Sequence, residues 1–234
     1  MNPIWKWAAV VGILASGRFA WGVEFGPPGP VGKQGKFSVA AGYASGREKM
    51  KGNGNPSIDR NQMYLEGTYH RPGIDWEGYL KLGAADARID NFSQPFSAEY
   101  RLMSAAGVRG AFKTWNREKK EGLAIGLGGF AQVRDVFGDF KDGDRRLKNN
   151  RSREFDVGIS AYVEFGPVIV YGGPVASWYR IDLESAGRKS PLREKNALGG
   201  YAGVRIPFAD GMFADVEGQV HGGGELAASI GKSF

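Results

Sequence analysis

The sequence has 234 residues, of which 42% are apolar and 12% aromatic, with 37 glycines, 11 prolines, no cysteine and a formal net charge of +6 at pH 7. The absence of cysteine excludes disulfides, zinc–thiolate sites and cysteine nucleophiles. A helical membrane bundle is excluded because it would need apolar runs of about 20 residues. The many aromatic residues argue against disorder, so this glycine-rich and aromatic-rich composition favours β structure.

The first 22 residues have the pattern of an export signal. Lys6 provides a positive start, residues 7–16 form a short apolar stretch, and small residues precede Val23, where we expect cleavage. A short transmembrane anchor is the alternative, but a helix of this length does not span about 30 Å of hydrocarbon. Residues 1–22 are therefore predicted to be a signal peptide, and residues 23–35 a periplasmic lead-in.

From residue 36 onwards the sequence alternates with a period of two. In residues 155–165, for example, apolar side chains at odd positions alternate with Asp156, Ser160 and Glu164. About ten such segments occur, and most have the length of roughly 9 to 11 residues that a tilted membrane-spanning strand needs. They cover residues 37–43, 63–69, 76–82, 102–112, 123–133, 155–165, 169–179, 198–206, 212–220 and 226–234.

The connections between these segments alternate in length. Short turns rich in proline or glycine are expected at 71–73, 166–167 and 209–211, and long charged loops at 49–60, 88–98, 137–151 and 183–196. Short turns at one end and long loops at the other are typical of an outer-membrane barrel. The connections 113–120 and 222–224 fit this alternation less well.

The two faces of the predicted strands differ sharply in charge, and one face carries almost all of it. That polar face would also carry Tyr162, Trp178 and Tyr201. A soluble β-sandwich would turn the charged face to water, whereas a membrane barrel would turn it into the lumen, and periodicity does not separate the two. The charged residues assigned to this face are Lys36, Glu66, Asp75, Glu77, Lys81, Arg101, Arg109, Arg134, Glu154, Asp156, Glu164, Arg180, Asp182, Arg205, Asp215 and Glu217.

Three features favour the barrel. The last segment is still alternating when it reaches Phe234, aromatic residues cluster at the strand ends that share the short turns, and the apolar face holds too many alanines and glycines for a good sandwich core. With these features, residues 36–234 resemble bacterial outer-membrane β-barrel proteins. The resemblance implies a single all-β domain, an antiparallel up-and-down transmembrane β-barrel of about ten strands in the bacterial outer membrane. It also implies that Phe234 serves as a signal to the outer-membrane assembly machinery.

An enzymatic role is not expected. Two outer-membrane enzyme families, the omptin proteases and the lipid A deacylases, use histidine with acids or serine, but His70 falls at the periplasmic end of its strand. His221 lies near the outer rim, with Glu217 and Ser229 as the remaining candidates for an outer-membrane hydrolase or lipid A-modifying enzyme. No residue spacing predicts a metal, a cofactor or nucleic-acid binding.

We expect instead a structural or surface-interaction role with a largely plugged polar lumen; a narrow, porin-like solute channel is a further alternative. The basic loops favour lipopolysaccharide as a partner besides membrane lipid, because its phosphates attract lysine and arginine, although a solvated loop without a partner is equally compatible. The loop bases assigned to lipopolysaccharide are Lys141, Arg145, Arg146, Arg188 and Lys189. The lumen charge network is expected to comprise Glu66, Lys81, Arg109, Arg134, Glu154, Asp156, Glu164, Arg205, Asp215 and Glu217.

Overall fold

The structure is a computed structural model, and it describes most of the chain beyond the predicted signal peptide. The described residues are 25–28, 37–52, 54–90, 96–115, 123–142, 145–185 and 188–234. The predicted signal peptide at 1–22 therefore lies outside the described residues. Of the predicted lead-in at 23–35, only residues 25–28 are described, and they lie buried inside the barrel rather than beyond its end.

Twelve strands form one antiparallel sheet that closes on itself, as the sequence predicted for the fold class. The strands are β1 Phe37–Lys51, β2 Ser57–His70, β3 Trp76–Asp90, β4 Phe96–Trp115, β5 Ala124–Val136, β6 Phe140–Asp142, β7 Arg145–Phe165, β8 Val168–Ser185, β9 Arg188–Glu194, β10 Leu198–Pro207, β11 Met212–His221 and β12 Gly223–Ser233. A 3-10 turn, Ala209–Gly211, connects β10 to β11. Among the described residues no helix has the length and apolar character to cross a membrane.

The strands form because their side chains alternate between two environments. Outward side chains in the middle of each strand are apolar and exposed, and inward ones are buried and mostly polar. We call this outward surface the apolar belt. In outer-membrane barrels an outward apolar band of this kind is about 25 Å tall and faces the hydrocarbon core of the membrane. Its large members include Leu65, Leu80, Leu82, Leu102, Leu127, Val133, Ile159, Val170, Leu198, Val220 and Ile230.

The two ends of the barrel differ. The turn end carries the connections 71–75, 166–167 and 208–211, together with the pairing of the first and last strands, where the Phe234 amide donates to the Phe37 carbonyl at 2.8 Å. The connection between β4 and β5 also lies at the turn end. The remaining connections lie at the loop end, where several predicted loops are largely strand. Strands β1 and β2 leave only residues 52–56 between them, and β9 occupies much of the predicted loop 183–196.

The ring of strands changes composition along the barrel axis. At the level of the apolar belt, ten strands close the ring, in the order β1, β2, β3, β4, β5, β7, β8, β10, β11 and β12. At the loop end, β6 takes the position of β5, and β9 takes the position of β10, β11 and β12 by pairing with both β8 and β1. The loop-end ring is therefore β1, β2, β3, β4, β6, β7, β8 and β9, which is two strands fewer.

Beyond the belt the two faces of the sheet exchange character. Outward positions there carry charges that pair across strands, such as Arg47 with Asp59 at 2.6 Å and Arg153 with Asp135 at 2.8 Å. Inward positions are apolar and fully enclosed. We call this cluster the loop-end core; it consists of Met50, Ile58, Ala87, Ile89, Phe140, Leu147, Tyr179, Ile181, Leu183 and Leu192.

This exchange corrects part of the predicted polar face. Arg180 and Asp182 point outward, where they pair with each other at 2.8 Å, and Trp178 also points outward and stacks on Phe155. The predicted phase was wrong for all three. Arg180 and Asp182 lie where β8 has passed the belt, so their charges face water, whereas Trp178 is outward because the odd-numbered positions of β8 are the inward ones. Asp75 lies exposed in the connection between β2 and β3, and Lys36 lies outside the described residues.

Candidate functional site in the barrel interior

The interior nearest the turn end is organised around Arg109, which is 2% exposed. Its guanidinium donates to Glu77 at 2.5 Å from Nε and to Glu66 at 2.9 Å from Nη2, and Lys81 lies 3.6 Å from Glu66. These four residues, the turn-end network, come from β2, β3 and β4. The registers Glu66–Lys81 and Glu77–Arg109 lie on the same inward face, with the Thr68–Tyr79 register between them, and the Arg109 side chain spans this distance to reach Glu66. A buried guanidinium needs such partners, because an unpaired buried charge is costly.

The N-terminal segment, residues 25–28, is held against this network. Glu217 accepts the backbone amides of Phe25 at 3.3 Å and Gly26 at 3.0 Å, and Arg109 Nη1 donates to the Phe25 carbonyl at 2.9 Å. The Phe25 ring stacks on Phe130 with centroids 3.7 Å apart. The segment is therefore fixed by its backbone and by one aromatic anchor.

Gly26 is the residue that permits this approach. Its φ is +70°, a region that L side chains rarely adopt, and a Cβ at this position would lie 2.5 Å from Arg109 Nη1. The guanidinium could not then reach the Phe25 carbonyl in its present position. The contact between Arg109 and the segment therefore requires glycine at position 26, because a side chain there would displace either the segment or the arginine.

A second ion pair lies on the neighbouring wall. Arg205 and Asp215 face each other on β10 and β11 and form two parallel hydrogen bonds, both 2.6 Å long. This two-point geometry is the strong form of the arginine–carboxylate interaction. Ser229 on β12 donates to the same Asp215 at 3.5 Å.

The loop-end network lies between the turn-end network and the loop-end core. Arg60 donates to Glu154 at 2.7 Å and to Glu225 at 3.0 Å, and it lies 3.6 Å from Glu48. Arg134 also contacts Glu154. These side chains come from five strands, β1, β2, β5, β7 and β12, so they tie opposite walls of the barrel together across its interior. Asp156 accepts from Ser177 and from Gln132 beside them.

His221 lies at the loop end of β11, beneath β9. Its Nδ1 is 3.2 Å from Glu194 Oε1, and both side chains are nearly completely buried. A carboxylate oxygen of Glu48 completes a group in which the three ligand atoms lie within 4.8 Å of one another. We call Glu48, Glu194 and His221 the β9 cluster. Because β9 covers it, the cluster does not open onto a cleft.

The structure accounts for most of the predicted interior charges. Of the ten predicted network residues, nine are buried and point inward, and Glu164 is half-buried near the turn end. The candidate hydrolase residues are not brought together: Glu217 binds the N-terminal segment, Ser229 contacts Asp215, and His221 faces Glu194. Of the predicted lipopolysaccharide bases, Lys189 is exposed on β9; Lys141 lies on β6, Arg145 and Arg146 on β7, and Arg188 on β9.

Several interior residues were not predicted. Arg60 was assigned to a loop, although it continues the alternation of Gln62, Tyr64 and Glu66 on β2 and could have been found by extending that pattern. Glu48 continues β1 in the same way. Glu194 and Phe25 lie in segments without a membrane-spanning pattern, and no signal in the sequence places them in the interior.

Comparisons with known proteins agree with this architecture. The sequence matches no protein-family model and no curated protein. The transport unit of the autotransporter AIDA-I from Escherichia coli superposes with a TM-score of 0.50 at 11% identity, over 86% of this chain and 90% of that one. The chain folds as an outer-membrane β-barrel.

Other barrels of this kind are more distant. The translocator domain of the autotransporter NalP from Neisseria meningitidis has a TM-score of 0.45 at 13% identity, over 97% of this chain and 92% of that one. An outer-membrane channel from Pseudomonas putida F1 has a TM-score of 0.47 at 11% identity, over 91% and 100%. At these identities the similarity concerns the fold.

Proposed function

We propose that this barrel is a closed, non-conducting outer-membrane protein with a structural or surface-interaction role. The observation that carries the proposal is the N-terminal segment bound in the interior, with its backbone held by Glu217 and Arg109. In outer-membrane barrels the short turns face the periplasm, so the turn end is assigned to that side. The segment then occupies the periplasmic half of the lumen.

The middle of the lumen supports the same proposal. Charged side chains from opposite walls pair directly, and Arg60, Arg109 and Arg134 are each 5% exposed or less at their side chains. A conducting pore needs charged groups that water can reach, whereas these charges have protein partners. Breaking the pairs to admit an ion would leave buried charges uncompensated, at a cost of several kcal/mol.

The outer half of the lumen supports it independently. The barrel has ten strands at the belt and fewer in the loop-end ring, so its lumen is narrower at the loop end. The lumen of a barrel of about eight strands is just filled by side chains. The loop-end core fills this ring with apolar residues such as Met50, Ile89 and Ile181, which are 0% exposed. Ions do not cross such a core, because apart from the Tyr179 hydroxyl, which pairs with Ser152 at 3.0 Å, it offers no polar group to replace their hydration.

The surface beyond the belt suggests the interaction that accompanies this closure. Lys189 is exposed on β9, and the sequence carries Lys141, Arg145, Arg146 and Arg188 on the same extension. We assign this basic surface to the phosphates of lipopolysaccharide, with which lysine and arginine form charge-assisted contacts. The barrel would thus act as a rigid, lipid-embedded base for its outer extension.

Single-channel recording in planar bilayers tests the closure. The full-length barrel is expected to show no steady conductance, and so is a variant lacking the exposed base Lys189. A barrel that keeps Lys189 but lacks residues 25–28 loses the seal of its periplasmic half. It is expected to show rare, small openings that the intact barrel lacks, while the loop-end core still prevents steady conductance. Steady conductance of porin size from the intact barrel would contradict the proposal.

A further inference from the structure

The β9 cluster combines an imidazole and two carboxylates at a place where three strands meet. Glu48 belongs to β1, Glu194 to β9 and His221 to β11, so the group is assembled only when β9 closes the loop-end ring. Its side chains are nearly completely buried: Glu194 and Glu48 are each 3% exposed and His221 is 4% exposed. Sequence spacing could not have indicated this group, because its members are far apart in the chain.

The polar side-chain atoms of the cluster lie close together, but they form no hydrogen bonds with one another. Among the described residues, no hydrogen-bond donor reaches either carboxylate oxygen of Glu48 or of Glu194, and Nδ1 of His221 also has no hydrogen-bond partner. Nδ1 nevertheless lies 3.2 Å from Glu194 Oε1. Two ligands bound to one ion at about 2.0–2.1 Å in tetrahedral geometry are separated by about 3.3 Å. His221 and Glu194 are therefore spaced as two ligands of a shared ion would be, and Glu48 offers a third carboxylate oxygen within 4.8 Å of both.

The balance of charges around the cluster also favours a bound cation. Among the described residues, the carboxylates in contact with it and with Arg60 outnumber the guanidiniums by two. A histidine that ligates a metal is neutral, so in the metal-bound state the ion would face this excess of two negative charges. The charged groups concerned are Glu48, Glu154, Glu194, Glu225, Arg60 and Arg134. Buried carboxylates in this state are costly, and one divalent cation would compensate both charges.

We propose that Glu48, Glu194 and His221 bind one divalent transition-metal ion that fastens β9 to the barrel wall. An imidazole together with carboxylates suits zinc or a similar ion better than magnesium or calcium, which prefer all-oxygen sites. The ion would link β9 to β1 and β11 at the level where β9 covers the hairpin between β11 and β12. Its role is structural, and it is independent of whether the lumen conducts.

Metal content after refolding tests the proposal. The barrel, without a histidine tag, is refolded in lipopolysaccharide-free detergent with Zn²⁺ present, desalted, and analysed for bound metal. Adding Zn²⁺ before folding gives it access to the buried site, and omitting lipopolysaccharide removes the phosphates that also bind divalent ions. One Zn²⁺ per chain is expected for the natural sequence, with unfolding in urea shifted to higher concentration relative to a sample refolded in EDTA.

The variants His221→Gln and Glu48→Gln are expected to retain at least tenfold less metal and to lose the zinc-dependent shift. The matched control is His70→Gln, which removes the other histidine and is expected to bind like the natural sequence. If the cluster holds no metal, Glu48→Gln would remove one buried carboxylate and its contact with Arg60, and it would leave any zinc effect on unfolding unchanged. That result, or a natural barrel that retains no Zn²⁺, would overturn the proposal.

Discussion

The attachment of the N-terminal segment can be weakened by changing one atom of Glu217. In Glu217→Gln the side chain keeps its shape, but one of the two oxygens that accept the amides of Phe25 and Gly26 becomes an amide donor. Charge-assisted hydrogen bonds contribute about 1.5–3 kcal/mol each. Losing one of them and weakening the other should destabilise the bound segment by about 2–3 kcal/mol.

Because the chain has no cysteine, a single introduced thiol can report on this change. Pro28 is buried beside Gly128, so the thiol of Pro28→Cys is shielded while the segment is bound. Every 1.4 kcal/mol is a tenfold change in an opening equilibrium, so Glu217→Gln should accelerate labelling by a water-soluble maleimide about 30- to 100-fold.

The matched control is Glu225→Gln, which changes another buried carboxylate on the interior face but contacts Arg60 and not the segment. Its labelling rate should stay within about threefold of the reporter alone. Equal acceleration by both variants would refute the specific contact with Glu217. Labelling of the reporter alone at the rate of an unfolded peptide would show that the segment is not held at all.

Three further substitutions test other parts of the structure, all by equilibrium unfolding in urea. Leu127→Arg places a charge in the apolar belt and should cost about 2–4 kcal/mol, whereas Glu184→Arg, at an outward position beyond the belt, should cost less than about 1 kcal/mol; similar costs would mean that the belt does not face lipid. Ile181→Ala leaves a cavity in the loop-end core and should lower the free energy of unfolding by about 2–5 kcal/mol. Asp182→Ala removes only an exposed ion pair worth about 0–1 kcal/mol, and a larger cost for Asp182→Ala than for Ile181→Ala would contradict the exchange of faces. Arg205→Ala leaves Asp215 buried without its partner and should cost about 3–5 kcal/mol, of which the double variant with Asp215→Ala should recover a large part; simple additivity would show that the two groups do not interact.

The barrel itself could be predicted from the sequence, because each half-buried strand alternates apolar and polar residues with a period of two, and this pattern is visible within a few residues. Arg134 and Glu154 were assigned inward, and both are buried in the interior, while Leu127 and Val133 in the predicted segment 123–133 are exposed on the outward face. The same rule failed for Arg180 and Asp182, which were assigned inward. Periodicity gives the two faces of a strand but not the medium that each face meets, and that medium changes where the strand leaves the belt.

The contacts of the interior could not be predicted in the same way. Glu217 was expected among the lumen charges, but its two bonds to the amides of residues 25 and 26 span almost the whole chain. The pairing of His221 with Glu194 depends on β9 crossing over three strands, and this follows from closure of the ring rather than from any local pattern. Such contacts are set by the tilt and number of strands, which the residues of one strand do not reveal.

The change in strand number along the axis also has a consequence for the order in which the wall can be completed. The loop-end ring needs no residue beyond Lys195, whose amide bonds to the Lys49 carbonyl at 3.1 Å, whereas the ring at the belt needs β12 up to Ser233. Without β10 to β12, the wall would be closed at the loop end by the pairing of β9 with β1 and would have a gap between β8 and β1 at the level of the belt. Strands β10 to β12 fill this gap as three adjacent strands, with β10 paired to β8 and β12 paired to β1. The contact between β9 and β1 involves no residue of β10 to β12, so closure of the wall at the loop end does not depend on its closure at the belt.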